Sequence, residues 1–281
     1  MPDWFPVPAL TLNNGVVIPQ LGYGTYLVPP EQAQRLVEHA LATGYRHIDT
    51  AQMYRNEAEV GAAITASGVS RSELFVTTKL NNAFHAYDDA LREFQRSLDA
   101  LAMDYVDLFL IHWPVPAIGK YVEAWSALEQ IYASGRARAI GVSNFQPAHL
   151  ERIIALGGTM PAVNQIEVHP YLQQAELRAL NSRHHILTEA WSPLGRGAVL
   201  ADPVIAEIAK RLGVTPAQVV LRWHLQRGDA VFPKSVTPAR IEENFALWGF
   251  SLSGGDVAAI NSLERNGRVG SHPDTMNRAD R

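Results

Sequence analysis

Four residues in the first half of the chain carry side chains suited to moving a proton: Asp49, Tyr54, Lys79 and His112. Tyr54 follows Asp49 by five residues, inside the stretch GYRHIDTAQMYRNEAEVG at 44–61. A phenol ionises near pH 10 and is a weak acid at neutral pH. An ammonium beside it stabilises tyrosinate and lowers that pKa, so Lys79 is expected to tune Tyr54 downward. A carboxylate beside the lysine keeps it charged and fixed, which is the task open to Asp49. An imidazole can hydrogen-bond a carbonyl oxygen and orient it, which suits His112. The chemistry is proton donation to a carbonyl. The group holds no good nucleophile–base pair and no second carboxylate for glycoside cleavage. A donor of this kind needs a separate source of electrons or of carbon-bound hydrogen.

Singly, each residue has a plainer reading. Asp49 suits a turn cap, Tyr54 a packed aromatic, Lys79 a solvated loop residue and His112 a structural histidine. Position argues against coincidence. Short apolar runs recur as candidate strands: QLGYGT (20–25), HIDTA (47–51), LFVTTKL (74–80) and VDLFLIH (106–112). AIGVSN (139–144), AVNQIEV (162–168), ILTEAWS (186–192) and AVFPKS (230–235) continue the series. They are rich in β-branched or aromatic residues, as strands buried on both faces are. Helical periodicity fills the gaps. Ala33, Leu36, Val37, Ala40 and Leu41 share a face in 31–43, and Ala90, Leu91, Phe94, Leu98 and Leu101 share one in 86–102. Between strands seven and eight lie two helical stretches, 202–212 and 216–227, hence one extra helix. The pattern predicts an α/β fold, a (β/α)8 TIM barrel, with residues 1–281 as a single domain. Asn14-Gly15 between alternating apolar residues predicts an N-terminal β-hairpin cap over the barrel's N-terminal mouth. The last stretch, NGRVGSHPDTMNRADR, predicts a C-terminal loop.

Active sites of such barrels lie at the C-terminal ends of the strands. Asp49 ends the second strand, Lys79 the third and His112 the fourth, with Tyr54 in the loop beyond Asp49. Strand ends two apart are separated by roughly 10 Å, which side chains bridge.

Composition narrows the class. The chain has 281 residues, 30.9 kDa, 47 % hydrophobic and 19 % charged residues, enough for a large core. A net charge of −4 and a pI near 6.2 point away from nucleic acid and anionic membranes as partners. Zero cysteines exclude disulfides, thiolate nucleophiles and Cys-held metals, and no metal set is expected. A chain without cysteine fits a reducing, cytoplasmic location. The beginning, MPDWFPVPAL, lacks the basic and apolar regions of a signal peptide, and no apolar run approaches the roughly 18 residues that span a bilayer.

The second half offers groups for a flat ligand and an anion. Ser143-Asn144 end strand five, Gln165 lies in strand six, and all three could hold a carboxamide. Trp191 ends strand seven as a plate for stacking on a ring. In FPKSVTPARIEEN (232–244), Thr237 is a good N-cap and Pro238 a good first helical residue. Lys234 and Arg240 stand at the same helix start, where the dipole disfavours cations. That mismatch makes sense if a phosphate monoester binds there. The alternative is neutralisation by Glu242 and Glu243. No GxGxxG follows a strand, so this is not a Rossmann site. LGRG (194–197) reads as a flexible loop able to fold over a pyrophosphate.

These motifs resemble the aldo-keto reductase family. GYRHIDTAQMYRNEAEVG, MDYVDLFLIHWP (103–114) and FPKSVTPARIEEN look like its three signatures, in order, across nearly the whole chain. The ending GRVGSHPDTMN is similar to the bacterial branch that includes 2,5-diketo-D-gluconate reductases. The resemblance implies NADPH-dependent reduction of aldehydes or ketones, such as small dicarbonyls, keto-sugars or keto-esters. It carries a catalytic tetrad onto Asp49, Tyr54, Lys79 and His112, with Tyr54 as general acid. It places Ser143, Asn144 and Gln165 on the nicotinamide amide, Trp191 and Ser192 beside the ring, and Leu194 and Gly195 along the pyrophosphate. It places Lys234, Ser235, Val236, Thr237 and Arg240 around the adenosine 2′-phosphate, Glu243 and Asn244 near the adenine, and Gly24 and Thr25 on the cofactor. The substrate pocket is expected from Tyr23, Tyr26, Met53, Trp113 and the loop around Arg268. The resemblance also implies a monomer. Two residues depart from the pattern: Arg55 stands where many members have Gly, and Asn81 where the diketogluconate reductases usually carry Trp. Two other classes compete. A non-enzymatic NADPH-binding regulatory subunit would share the barrel but lack turnover. A Schiff-base aldolase using Lys79 would leave the strand-eight anion site unexplained.

Overall fold

The structure, a computed structural model, describes residues 7–279. The first six residues of the N-terminal stretch discussed above lie outside the described residues. A hairpin opens the fold: β1 (Ala9–Thr11) pairs antiparallel with β2 (Val17–Pro19). Gly15 in the connecting turn takes φ 84°, which glycine adopts without strain.

Eight parallel strands follow: β3 (Tyr23–Gly24), β4 (His47–Asp49), β5 (Phe75–Leu80), β6 (Val106–Ile111), β7 (Ala137–Ser143), β8 (Val163–Glu167), β9 (Leu187–Trp191) and β10 (Ala230–Val231). They pair in sequence order. A parallel bridge between Leu21 and Val231 joins the last strand to the first and closes the barrel. The helices are α1 (Pro30–Thr43), α2 (Glu57–Ala66), α3 (Tyr87–Leu101), α4 (Tyr121–Ala133), α5 (Pro147–Ile154), α6 (Ala175–Arg183), α7 (Pro203–Leu212), α8 (Pro216–Gln226), α9 (Pro238–Phe245) and α10 (Gly254–Asn261). The extra helix between the seventh and eighth barrel strands is present as the α7–α8 pair. The eighth strand is shorter than the sequence indicates, because Pro233 removes a ladder donor just beyond it. Among the described residues no helix is long and apolar enough to cross a membrane.

Alternation along the strands divides the barrel. Outward residues such as Ile48, Val76, Phe109 and Ile140 join the large core under the helices. Inward residues at the N-terminal end, Phe75, Leu108, Ala139 and Val163, form a separate apolar plug with Leu12 and Ile18 of the hairpin. The hairpin tip is fastened there: Asn13 donates to the Pro161 carbonyl and Asn14 to that of Arg138, both at 2.9 Å. The hairpin therefore covers the N-terminal mouth, as its sequence predicts. Inward positions nearer the C-terminal end are polar and buried: His47 and Asp49 of β4, Thr77 and Lys79 of β5, Gln165 of β8 and Glu189 of β9. Chemistry is thus confined to one end.

The helix ring is tight where α2 meets the end of α3. A Cβ built on Gly61 would stand 2.3 Å from the Leu101 carbonyl oxygen, and backbone cannot yield as a side-chain tip can. Gly61→Ala should cost about 1–3 kcal/mol by overpacking. Thermal unfolding should show a Tm lower by several degrees, and an unchanged Tm would contradict the contact.

Candidate active site

The polar end of the barrel brings the four ionisable residues together. Lys79 is fully buried. Its Nζ donates to Asp49 Oδ1 at 2.6 Å, to the Thr50 carbonyl at 2.9 Å and to the Tyr54 hydroxyl at 3.4 Å. All three ammonium donors are used. Tyr54 reaches the lysine because Gln52–Tyr54 form a 3-10 turn that ends at Arg55 in the left-handed conformation, φ 57° and ψ 33°. Glycine takes that conformation freely, which explains the family preference at this position. Arg55 is exposed and accepts a strain of about 1 kcal/mol. Gln52 anchors the turn: its Nε2 donates to the Glu93 carbonyl and to Ser97, and its Oε1 accepts from the Asn81 N–H. The Tyr54 ring lies between two others, with centroids 5.6 Å from His112 and 5.2 Å from Tyr26.

Burial pushes the Tyr54 hydroxyl well above pH 10, and the charge of Asp49 and then the neighbouring Tyr26 phenol push the same way. This corrects the downward shift expected from Lys79. The ammonium spends itself on Asp49 at 2.6 Å and reaches the phenol only at 3.4 Å. In the ligand-free protein the phenol is therefore held protonated. Burial lowers His112 well below its usual range, with the Lys79 and His85 charges adding to it. The ring is neutral, and its buried Nδ1 has no partner among the described residues.

Trp191 Nε1 donates to Asn144 Oδ1 at 2.8 Å. Asn144 Nδ2 donates to the His112 carbonyl and to Ser143 Oγ, and Ser143 Oγ donates to the Gln165 carbonyl. The Asn144 side chain is thus committed within the protein, where it locks the edge of a half-buried indole. Gln165 Nε2 is committed too, to Asp49 and Glu189, so its Oε1 is what the amide has left for a ligand. Ser192, at φ 47°, and Leu194 lead into a 3-10 turn, Gly195–Gly197, backed by His169 and Val199. The LGRG segment takes up a 3-10 turn, with Arg196 left-handed at φ 53°. On the other side, Thr25 Oγ1 donates to the Asp49 carbonyl, and a Cβ at Gly24 would meet the Phe232 carbonyl at 2.7 Å.

At the start of α9, Thr237 occupies the N-cap without a side-chain cap bond; its own N–H donates to Ser235 Oγ. Lys234, Val236 and Arg240 are exposed. The carboxylates of the alternative reading are engaged elsewhere. Glu242 pairs with His39 at 3.0 Å, and Glu243 accepts from Thr215 at 2.9 Å. Among the described residues neither Lys234 nor Arg240 forms an ion pair, so two free cations face a helix start with Asn244 buried behind them. That arrangement suits a phosphate monoester.

Of the pocket residues, Tyr26, Met53 and Trp113 keep exposed surface, with Trp113 and Trp191 at 6.4 Å between centroids. Tyr23 is a correction. It is 1 % exposed, and its hydroxyl donates to the Ser235 carbonyl, so it is scaffold and not pocket wall. Asn81 folds its Oδ1 back onto the Ala83 N–H, capping a local turn.

Among the buried groups that escaped the sequence reading are His85, Glu189 and Glu167. The two glutamates were detectable as charges inside apolar strands, IEV and TEAW. Glu167 latches the C-terminal loop. Its oxygens accept from the Val269 and Gly270 N–H groups at 2.6 and 2.9 Å and from His169 at 3.0 Å, and Arg268 stands 3.7 Å away. Gly270 lies so close to Trp191 that a Cβ there would meet the indole at 2.3 Å. Burial raises the Glu167 carboxyl, but His169 and the two N–H groups outweigh it, and the net shift is downward. A depressed carboxylate stabilises above its unfolded pKa and stops doing so as pH falls through its folded pKa. The latch should hold at neutral pH and release only below the ordinary glutamate range. In Glu167→Gln an amide N–H2 replaces one acceptor, and limited proteolysis beyond residue 267 should become at least about tenfold faster at pH 7. Equal cleavage rates would show that the loop is held by something else.

A profile of the Aldo/keto reductase family matches residues 20–265. The chain is 53 % identical over 270 residues to an aldo-keto reductase of Mycolicibacterium smegmatis, covering 96 % of this chain and 98 % of that protein. It is 48 % identical to the methylglyoxal reductase DkgA of Salmonella typhimurium, covering 94 % and 96 %. A solved structure of a Gox0644 mutant in complex with NADPH superimposes with a TM-score of 0.93 at 45 % identity, covering 96 % of this chain and 98 % of that one. With its barrel, hairpin and ordered motifs in agreement with these matches, the chain belongs to the aldo/keto reductase family.

Proposed function

We propose that the protein is a carbonyl reductase that transfers hydride from NADPH to an aldehyde or ketone, with Tyr54 as the proton donor. The observation that carries this reading is the fixed contact chain Asp49–Lys79–Tyr54 beside a neutral His112. Family membership, a relative named methylglyoxal reductase and a structural neighbour in complex with NADPH support it.

The residues present fit the cofactor. The unpaired Lys234 and Arg240, with Ser235, Val236 and Thr237, suit the 2′-phosphate, and Glu243 and Asn244 lie next to them for the adenine. Trp191 offers a ring face, Gln165 Oε1 a carboxamide acceptor beside Ser143 and Asn144, and Ser192, Leu194 and Gly195 a turn for the pyrophosphate. When bound, the cofactor supplies the hydride. His112, neutral, donates an N–H to the carbonyl oxygen and orients it. Tyr54 gives its proton to that oxygen as negative charge develops there. The tyrosinate left behind is stabilised by Lys79, whose charge Asp49 maintains, so the ammonium contributes most when the phenol gives up its proton. The high resting pKa of the phenol keeps the proton in place until then.

The wall of Tyr26, Met53 and Trp113 suits a compact carbonyl compound, and small dicarbonyls, keto-sugars and keto-esters are the proposed substrate class. The proposal extends to a single-domain, cytoplasmic monomer on family resemblance.

Tyr54→Phe should lower kcat by at least about a thousandfold while NADPH still binds, as read by quenching of tryptophan fluorescence. Retained turnover would remove Tyr54 from the donor role, and binding without turnover by the wild type across a carbonyl panel would favour a regulatory subunit. Arg240→Ala should raise the Kd for NADPH by about tenfold or more and leave NADH nearly unaffected. Equal losses for both would refute the 2′-phosphate assignment.

A further inference from the structure

Inside the barrel, one strand from the Glu167 latch, lies a carboxyl group that the proposed proton transfer does not use. Glu189 is fully buried in β9, in register with Gln165 of β8. Its Oε2 accepts from Gln165 Nε2 at 3.0 Å, and the same nitrogen donates to Asp49 Oδ2 at 2.8 Å. One amide therefore bridges two buried carboxyl groups, and only Asp49 has a cation beside it. The titratable groups facing Glu189 are Asp49 and His47 from β4 and Lys79 from β5. On its other flank β10 presents Ala230. His47 Nε2 stands 3.9 Å from Glu189 Oε1, but it lies 3.2 Å from Thr77 Oγ1 and its burial keeps the imidazole neutral. Two carboxylates and one ammonium would leave an uncompensated buried charge, which a protein relieves by keeping a proton.

We propose that Glu189 is a positioning residue for the reduction: through the Gln165 amide it holds Asp49, and it sets the net charge against which Lys79 and Tyr54 work. The inference rests on the reductase reading. At neutral pH the neutral acid leaves Asp49 as the only anion on the amide, and the Asp49–Lys79 pair is balanced. Burial and then the Asp49 charge raise the Glu189 carboxyl to about 8. As pH rises through that value, Glu189 releases its proton to solvent and a second negative charge appears one amide away from Asp49. A like charge there makes tyrosinate at Tyr54 costlier. Reduction, which leaves Tyr54 as tyrosinate, should slow.

The coupling can be read without cofactor. In protein labelled with 13C at the glutamate side-chain carboxyls, the signal missing from Glu189→Gln identifies Glu189. It should titrate near pH 8 in the wild type, and at least about one unit lower in Asp49→Asn, where the like charge is gone and Lys79 is unpaired. Titration in the ordinary glutamate range, or at the same pH with and without Asp49, overturns the proposal. Turnover gives a second reading that does not depend on Asp49→Asn folding. Wild-type kcat/KM with NADPH should step down by about tenfold as pH rises through roughly 8 and then level, and Glu189→Gln should remove that step. Superimposable profiles would overturn the role of Glu189 and leave the reductase reading intact. Absence of wild-type turnover would overturn the reductase reading and this inference with it.

Discussion

A fully buried ammonium is the constraint around which the polar end of the barrel is organised. Lys79 has no access to water, so its charge must be met inside the protein. Asp49 meets it at 2.6 Å and the Thr50 carbonyl at 2.9 Å, both from one neighbouring strand and the residue after it. Such a pair rarely adds net stability, because desolvating both ions costs about what their attraction returns. Its value lies in a lysine with no freedom to move, whose remaining donor points at one phenol.

The division of the barrel follows from that constraint. Water-free surroundings for the pair require a sealed opposite end, and the hairpin with its apolar plug provides one. The polar residues then sit above an apolar floor, between strands that pair in order. The turn carrying Tyr54 is tied down by Gln52, and Asn56 adds a second tie. Asn56 stands at the N-cap of α2 but does not cap it. Its Nδ2 donates to the Thr25 and Val28 carbonyls, and its Oδ1 accepts from Thr50 at 2.9 Å. The residue joins three segments around the site.

The carboxyl groups of the interior are treated differently according to their partners. Glu167 sits among N–H donors and remains a carboxylate that fastens the C-terminal loop beside Trp191. Glu189 sits between an amide and a neutral imidazole and has no cation beside it. The same side chain, one strand apart, becomes a latch in one place and a neutral acid in the other, because hydrogen-bond donors offset burial in the first and not in the second.

The alternation of apolar runs with helical segments determined the barrel, because strand and helix periods are written in consecutive residues. The four proton-handling residues were legible as strand-end side chains, and the cation pair at the last barrel helix as a clash with the helix dipole. The tertiary structure decided what each group touches. It turned Tyr23 into scaffold, committed Asn144 to Trp191, and removed Glu242 and Glu243 from the two cations. It also reversed the direction of the Tyr54 shift. The sequence names the ammonium and the phenol but not the burial that penalises tyrosinate, nor the distances, 2.6 Å to Asp49 and 3.4 Å to Tyr54, over which one charge is shared.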